Sequence, residues 1–192
     1  MQALTGFLVE YLILGSGMAC ALLLGLRAYG VKLDYLDPEI VLIFTPLLYV
    51  LGMFSDNVGY FIVRWAKRRI VLKTLKKHNR TESKYSAIEL YTYLSEICPN
   101  IYRIVQTRSA RDRVARGMLA NIIFIFIALL YFVFRSEAAN IRCVLFISLF
   151  GFILFVLVFC IWWRLQSHSS TYEFYAGEFL EKNKGIDPFK KK

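Results

Sequence analysis

Residues that commonly carry enzyme chemistry are scarce in this sequence and are not clustered. The two histidines, His78 and His168, are isolated, and the four cysteines form no C-x-x-C pair and no group with metal-ligand spacing. No glycine-rich phosphate loop, H-E-x-x-H motif or G-x-S-x-G motif is present, and no carboxylate pair occupies a plausible soluble active site. We therefore expect no enzymatic activity, no metal site, no disulfide framework and no cofactor.

Long uncharged stretches dominate what the sequence does contain, and 57% of its 192 residues are hydrophobic. Four apolar runs occur, at about 7–26, 40–63, 118–134 and 143–163. A helix of about 20 apolar residues crosses a bilayer, and the third run is near the lower limit of about 17. The runs are continuous rather than alternating, so they predict helices and not the strands of a barrel. The predicted fold is an all-α membrane protein with four transmembrane helices.

The distribution of basic residues predicts the topology. The first run has no Lys or Arg before Arg27 and is longer than the apolar part of a signal peptide, about 7–15 residues, so we expect a retained helix. Of the 24 Lys and Arg residues, fourteen lie between Arg64 and Arg116 and six in the tail from Arg164. The positive-inside rule therefore predicts that both termini and the segment between helices two and three are cytosolic.

These predictions divide the chain into four parts. Residues 1–63 contain transmembrane helices one and two, 64–117 a basic helical cytosolic region, 118–164 transmembrane helices three and four, and 165–192 a cytosolic C-terminal tail. Helix two has no breaker at its exit and is expected to continue to about Lys77. Ser83 is expected to cap a helix that Pro99 ends, and Asn100 to cap a further helix that runs into span three.

The cytosolic region 64–117 contains fourteen basic and four acidic residues, a net charge of +10. Basic residues beside a span fix orientation and bind anionic headgroups, and this role suffices for the nearest ones. These are Arg64, Lys67, Arg68, Arg69 and Arg116. Cations farther from the span predict a surface for a polyanion such as single-stranded nucleic acid, and in an oligomer they would ring an axis. These are Lys73, Lys76, Lys77, Arg103, Arg108 and Arg111.

The tyrosines between these cations allow two interpretations. They either stack on nucleic-acid bases or pack one helix against another, as their helical spacing favours. They are Tyr85, Tyr91, Tyr93 and Tyr102.

Ionisable residues within the apolar runs are functional candidates, because a charge near the bilayer centre costs at least about 2.5–3.5 kcal/mol. Asp56 lies in the second run between Ser55 and Asn57, and in an oligomer this group is a candidate pore lining that favours cations. The alternative for Asp56 is a buried bond to a partner such as Asn121. Glu10, nearer the cytosolic interface, either contributes to the ion pathway or simply reaches water.

The order of these features resembles a known family. The features are Gly-Met-Phe-Ser-Asp at 52–56, the basic end of helix two, the tyrosine-rich helix, the arginine-rich segment 107–116 and Asn121. In this order they form a pattern similar to that of the membrane effectors of the bacterial Hailong anti-phage systems. Those are small four-helix proteins found beside nucleotidyltransferase-like partners. The resemblance covers most of the chain as a pattern of size, topology and basic linker.

That resemblance implies a homo-tetrameric ion channel in the bacterial inner membrane. Short single-stranded DNA made by the partner enzyme would hold the channel shut, and phage attack on the DNA would open it. The acidic residues Glu82, Glu89 and Glu96 depart from what a DNA-binding face requires. The flanking basic helices would then bind the DNA.

Three classes of function remain from the sequence. The first is an ion channel gated by a cytosolic polyanion. The second is a small-solute transporter, since small multidrug exporters also carry a membrane glutamate in helix one, as Glu10 is here, although they are much shorter and lack the basic insert. The third is a structural membrane scaffold whose basic region recruits a partner protein or anionic lipid.

Overall fold

The computed structural model describes residues 2–31, 38–78, 87–135 and 141–182. This part of the chain forms five helices and no strand, which confirms the all-α class. The helices are α1 (Gln2–Ala28), α2 (Pro38–Lys77), α3 (Ala87–Ile97), α4 (Pro99–Arg135) and α5 (Ile141–Lys182). All but α3 are long and apolar enough to cross a membrane.

Three of the helices are much longer than a bilayer requires. Helix α2 has 40 residues, α4 has 37 and α5 has 42. At about 1.5 Å per residue each approaches 60 Å, roughly twice the thickness of the hydrocarbon core. Each therefore continues well past its apolar run, and α2 ends at Lys77, as the absence of a helix breaker predicts.

The junction between α3 and α4 differs from the prediction. Helix α4 begins at Pro99, and the Cys98 carbonyl accepts a hydrogen bond from the Tyr102 amide at 3.0 Å. Cys98 therefore occupies the capping position, and the prediction that Asn100 caps this helix was wrong. Proline suits the first helical position because its φ is already helical and no N–H is needed there. Ser83, the expected cap of α3, lies outside the described residues.

The chain divides into two compact units. The first unit consists of Met1–Val63 and Arg113–Trp162, and the second of Arg64–Asp112 and Trp163–Lys192. Helices α2, α4 and α5 contribute residues to both units, α1 only to the first and α3 only to the second. Arg113 and Arg116, which the sequence groups with the basic region, belong to the first unit.

Packing in the first unit depends on the inward face of α2, where Gly52, Ser55 and Gly59 are buried. A methyl group at Gly52 would collide with the Tyr11 carbonyl of α1, and one at Gly59 with the Arg116 carbonyl of α4. Small residues at such positions let helix backbones approach closely.

Only 6% of the most apolar stretch of α5 is buried, against 22–28% in α1, α2 and α4. Helices α1, α2 and α4 therefore form the packed centre of this unit.

The second unit has a small apolar core of its own. Leu90 and Leu94 of α3 are buried against α4 and α5, together with Val105, Ala176 and Leu180. The partly buried rings of three tyrosines pack against this core, as helix packing predicts; they are Tyr91, Tyr93 and Tyr102. Tyr85 lies outside the described residues.

Candidate functional site

Six polar side chains meet inside the first unit, where α1, α2 and α4 come together. We call them the buried polar cluster; they are Glu10, Ser55, Asp56, Arg113, Arg116 and Asn121. Ser55 and Asp56 lie between Gly52 and Gly59 along α2 and share their inward face, since residues three or four apart are neighbours on a helix. The close helix approach at these glycines brings the polar groups within bonding distance of α4.

Asp56 makes a bidentate ion pair with Arg116. Arg116 Nε donates to Asp56 Oδ1 at 2.6 Å and Nη2 donates to Oδ2 at 3.0 Å. The carboxylate side chain is 10% exposed and the guanidinium side chain 13%. Charge-assisted pairs with this fork geometry are among the strongest polar contacts in proteins. The sequence suggested Asn121 as a possible partner of Asp56, whereas the charged partner is Arg116.

Asn121 instead connects Ser55 to α1. Its Nδ2 donates to the Leu14 carbonyl at 2.8 Å, which turns its Oδ1 toward Ser55 Oγ at 2.7 Å. Ser55 Oγ also lies 2.9 Å from the Gly117 carbonyl, so its single proton has two acceptors within reach. Buried polar groups must be hydrogen-bonded to avoid a desolvation penalty. This chain of contacts satisfies them while holding three helices together.

A second acid–arginine pair joins α1 to α4. Arg113 Nη2 donates to Glu10 Oε2 at 3.3 Å, and both side chains are mostly buried. Arg113 and Arg116 are three residues apart, so they lie on neighbouring turns of one face of α4. Glu10 therefore has a protein partner rather than only water.

Sequence reasoning missed both arginines as partners, although a signal for them was present. Two acids lie in apolar runs, and buried charges are rarely left without a counter-charge. Arg113 and Arg116 are the last two cations before the third run, so in the predicted topology they lie on the same side of the membrane as both acids. Arg64 and Lys67 lie on that side too, so the sequence alone does not select the partners.

Asn57, the remaining candidate pore residue, is not part of the cluster. It is exposed on the outer face of α2. Phe54 and Phe61 lie three residues before it and four after it, and they are 52% and 72% exposed. Glu10, Ser55 and Asp56 thus contact side chains of α4. Asn57 instead lies within an outward-facing apolar stripe of α2.

The six cations predicted to bind a polyanion belong to the second unit, and we call them the basic surface. They are Lys73, Lys76, Lys77, Arg103, Arg108 and Arg111. All are exposed except Arg108, which is half-buried with its guanidinium carbon 3.6 Å from the centre of the Tyr172 ring. Among the described residues, none of the six has a carboxylate within ion-pair distance.

Two acids of the second unit, Asp112 and Glu173, lie inward, whereas Glu89 and Glu96 are exposed. Asp112 is buried, and the amide of Gln166, oriented to donate, lies 2.7 and 3.0 Å from its two carboxylate oxygens. Glu173, ten residues beyond the fourth apolar run, accepts a long hydrogen bond of 3.5 Å from the Tyr91 hydroxyl. Burial is the largest influence on the Glu173 carboxyl and raises its pKa. The charge of Lys67 and the hydrogen bond from Tyr91 lower this pKa, and the charge of Asp112 raises it further.

These features define a class, a multi-pass helical membrane protein with paired charges inside its apolar unit. Comparison of the chain with protein-family models, curated proteins and solved structures gives no match. Across the described ranges, no three His, Cys, Asp or Glu side chains are grouped so that they could hold a metal ion. The buried polar cluster and the basic surface are therefore the features of this protein that point to a function.

Proposed function

We propose that the protein is an oligomeric ion channel whose basic surface binds a polyanion such as single-stranded DNA. The observation that carries this proposal is the mostly buried ion pair of Asp56 and Arg116, which lies between apolar helices. Ionisable groups in spanning helices are costly and mark ion pathways by default. We place both termini in the cytosol, as the basic residues predict, and the protein in the bacterial inner membrane, as the resemblance to Hailong effectors implies. The resemblance to Hailong effectors adds an anti-phage role.

In this proposal the Asp56–Arg116 pair is the gate. A carboxylate attracts cations into a pore only when its charge is not cancelled by a neighbour. The paired arrangement then corresponds to a non-conducting state, and conduction requires Arg116 to leave Asp56. Asn57 supports an oligomeric pathway, because an exposed amide in an apolar stripe is suited to a contact between copies or to a hydrated lining.

Helix α4 offers a route from ligand to gate. Arg108 and Arg111 of the basic surface precede Arg113 and Arg116 on the same helix, and Arg111 is about 8 Å along the axis from Arg116. A polyanion bound to Arg108 and Arg111 would bias the rotation or tilt of α4. That movement would change the contacts of Arg113 with Glu10 and of Arg116 with Asp56.

A structural scaffold is the second candidate, and a specific observation favours it. Both acids of the buried polar cluster are ion-paired, and the helices approach at Gly52 and Gly59 without room for a methyl group. Such a sealed contact suits a rigid membrane anchor. In that case the basic surface would recruit a partner protein or anionic lipid rather than control ion flow.

Ion flux from liposomes distinguishes the two. The full-length protein would be reconstituted and flux measured with and without short single-stranded DNA, at about 50 and 200 mM salt, because phosphate contacts release counterions and weaken with salt. We expect flux that DNA changes strongly at low salt and weakly at high salt. Flux in the Asp56→Asn variant should lose its preference for cations.

The matched control is Arg108→Glu/Arg111→Glu, which reverses charge on the basic surface and leaves the buried polar cluster unchanged. It should keep flux and lose its response to DNA. Absence of flux from the wild-type protein under every condition would reject the channel and leave the scaffold. Flux that ignores DNA would keep the channel and reject a polyanion as its ligand.

A further inference from the structure

An exposed cationic face begins on α2 directly after the second apolar run ends at Val63. Arg64 and Arg68 are one turn apart, as are Trp65 and Arg69, so the four side chains share one face of the helix. All four are exposed. The opposite face of this stretch is buried in the second unit and includes Ala66 and Ile70. We call Arg64, Trp65, Arg68 and Arg69 the headgroup face.

Trp65 and Arg69 are stacked on each other. The guanidinium carbon of Arg69 lies 3.5 Å from the centre of the Trp65 ring, and Trp65 is 64% exposed. Stacking uses the flat side of the guanidinium and leaves its in-plane N–H donors free. A guanidinium held in this way presents the fork that binds two phosphate oxygens at once.

The cations of this face have no acidic partner in the part of the chain that the structure describes. Arg64, Arg68 and Arg69 form no ion pair there, in contrast to Arg113 and Arg116. Three guanidinium groups within about two helical turns, none of them ion-paired among the described residues, create a local positive charge that favours an anionic occupant. Charge complementarity therefore selects an anion.

The position along α2 selects which anion. Tryptophan rings prefer the headgroup layer of a bilayer, and Arg69 lies only about 9 Å along the helix from the end of the apolar run. A phosphodiester at this depth belongs to a phospholipid. We propose that the headgroup face binds the headgroup of an anionic phospholipid, with Arg69 held by Trp65 as the bidentate ligand of the phosphate. This inference is independent of whether the protein conducts ions.

Quenching of Trp65 by brominated lipid tests the proposal. The full-length protein would be placed in vesicles of phosphatidylcholine and phosphatidylglycerol. In one sample the phosphatidylglycerol carries bromine, and in the other an equal fraction of the phosphatidylcholine does. Subtracting the signal of Trp65→Phe isolates Trp65 from Trp162 and Trp163. We expect brominated phosphatidylglycerol to quench Trp65 more strongly than brominated phosphatidylcholine.

Substitutions then assign the contact. Arg69→Gln should lower the preference for phosphatidylglycerol about fivefold, the factor expected for one cation near an anionic surface. Arg69→Lys should lose part of it, because an ammonium keeps the charge but not the fork. Lys73→Gln, which removes one charge farther along α2, is the matched control and should change the preference less than about twofold.

Three results would overturn the proposal. Equal quenching of Trp65 by the two brominated lipids would show no headgroup preference. An equal loss in Lys73→Gln and Arg69→Gln would show that the preference is diffuse. An Arg69→Gln variant that keeps the lipid preference but loses oligonucleotide binding would move Arg69 to the basic surface. Arg64→Gln/Arg68→Gln repeats the test without touching the stacked pair.

Discussion

Arginine serves opposite purposes in the two units of this protein. In the first unit Arg113 and Arg116 are mostly buried and hold Glu10 and Asp56 in ion pairs. In the second unit the cations of the basic surface have no carboxylate partner among the described residues. An unpaired charge is costly in apolar surroundings and cheap in water, so each environment selects its own arrangement.

The contrast is sharpest along α4, because one helix carries both kinds of arginine. Arg111 is exposed and Arg113 is mostly buried, although only Asp112 separates them. A two-residue step rotates a helical side chain by about 200°, so neighbours in sequence face different surroundings. The role of an arginine here depends on its helix face and its unit, and the density of basic residues does not indicate it.

Breaking the Asp56–Arg116 pair should have the largest effect on stability. Arg116→Ala leaves a buried carboxylate without a counter-charge, which costs about 3–5 kcal/mol. Thermal unfolding of the detergent-solubilised protein measures this, with exposed Arg111→Ala as the control. The double variant Asp56→Ala/Arg116→Ala should recover much of the loss. A double variant as unstable as the sum of the single ones would show that the two groups are not coupled.

Forcing α1 and α2 apart should have the next largest effect. Gly52→Ala places a methyl group against the Tyr11 backbone, and such overpacking costs about 1–3 kcal/mol. Gly25→Ala is the matched control, because nothing lies within 4 Å of its added carbon. Alanine is the better helix former, so Gly25→Ala should raise the unfolding temperature. Equal unfolding temperatures for the two variants would contradict the close helix contact.

Neutralising Glu173 should change how the stability of the second unit depends on pH. Its pKa is raised in the folded protein, so the protonated form favours folding. The stabilisation is complete below the ordinary value of 4.5 and is lost as pH rises through the folded pKa. Glu173→Gln should therefore be more stable than wild type at neutral pH and vary less between acidic and neutral pH. Unfolding temperatures across pH measure this.

The control for that experiment is Glu178→Gln on the same helix. Glu178 pairs with Lys182 at 3.5 Å and its side chain is 36% exposed, so removing its charge should change the unfolding temperature little. A Glu173→Gln variant that follows the wild-type pH profile would show that another group controls it.

Reversing charge on the basic surface should affect folding least and ligand binding most. Arg108→Glu/Arg111→Glu should lower the free energy of unfolding by only about 1 kcal/mol, because Arg111 is exposed and the main loss is the contact of Arg108 with the Tyr172 ring. Oligonucleotide affinity should fall, and its logarithmic salt slope should shrink by about 0.7 for each phosphate that the variant no longer neutralises. Unchanged affinity would remove these two arginines from the ligand surface.

Much of the architecture was predictable from local sequence. The four apolar runs indicated the four long helices, and the lack of a breaker after Trp65 indicated that α2 continues to Lys77. The spacing of the tyrosines indicated packing, and Tyr91 and Tyr102 do pack on the small core of the second unit. The start of α4 was missed by two residues, because Pro99 was interpreted only as the end of the preceding helix.

The sequence by itself determined the class of structure, because hydrocarbon length and helical backbone bonding depend on continuous local runs. It also marked Ser55, Asp56 and Glu10 as unusual, since a polar group in an apolar run is visible without a fold. Only the tertiary structure decided their partners. The contacts of Asp56 with Arg116 and of Glu10 with Arg113 join residues 60 and 103 positions apart, and helix crossing at Gly52 and Gly59, not sequence spacing, brings them together.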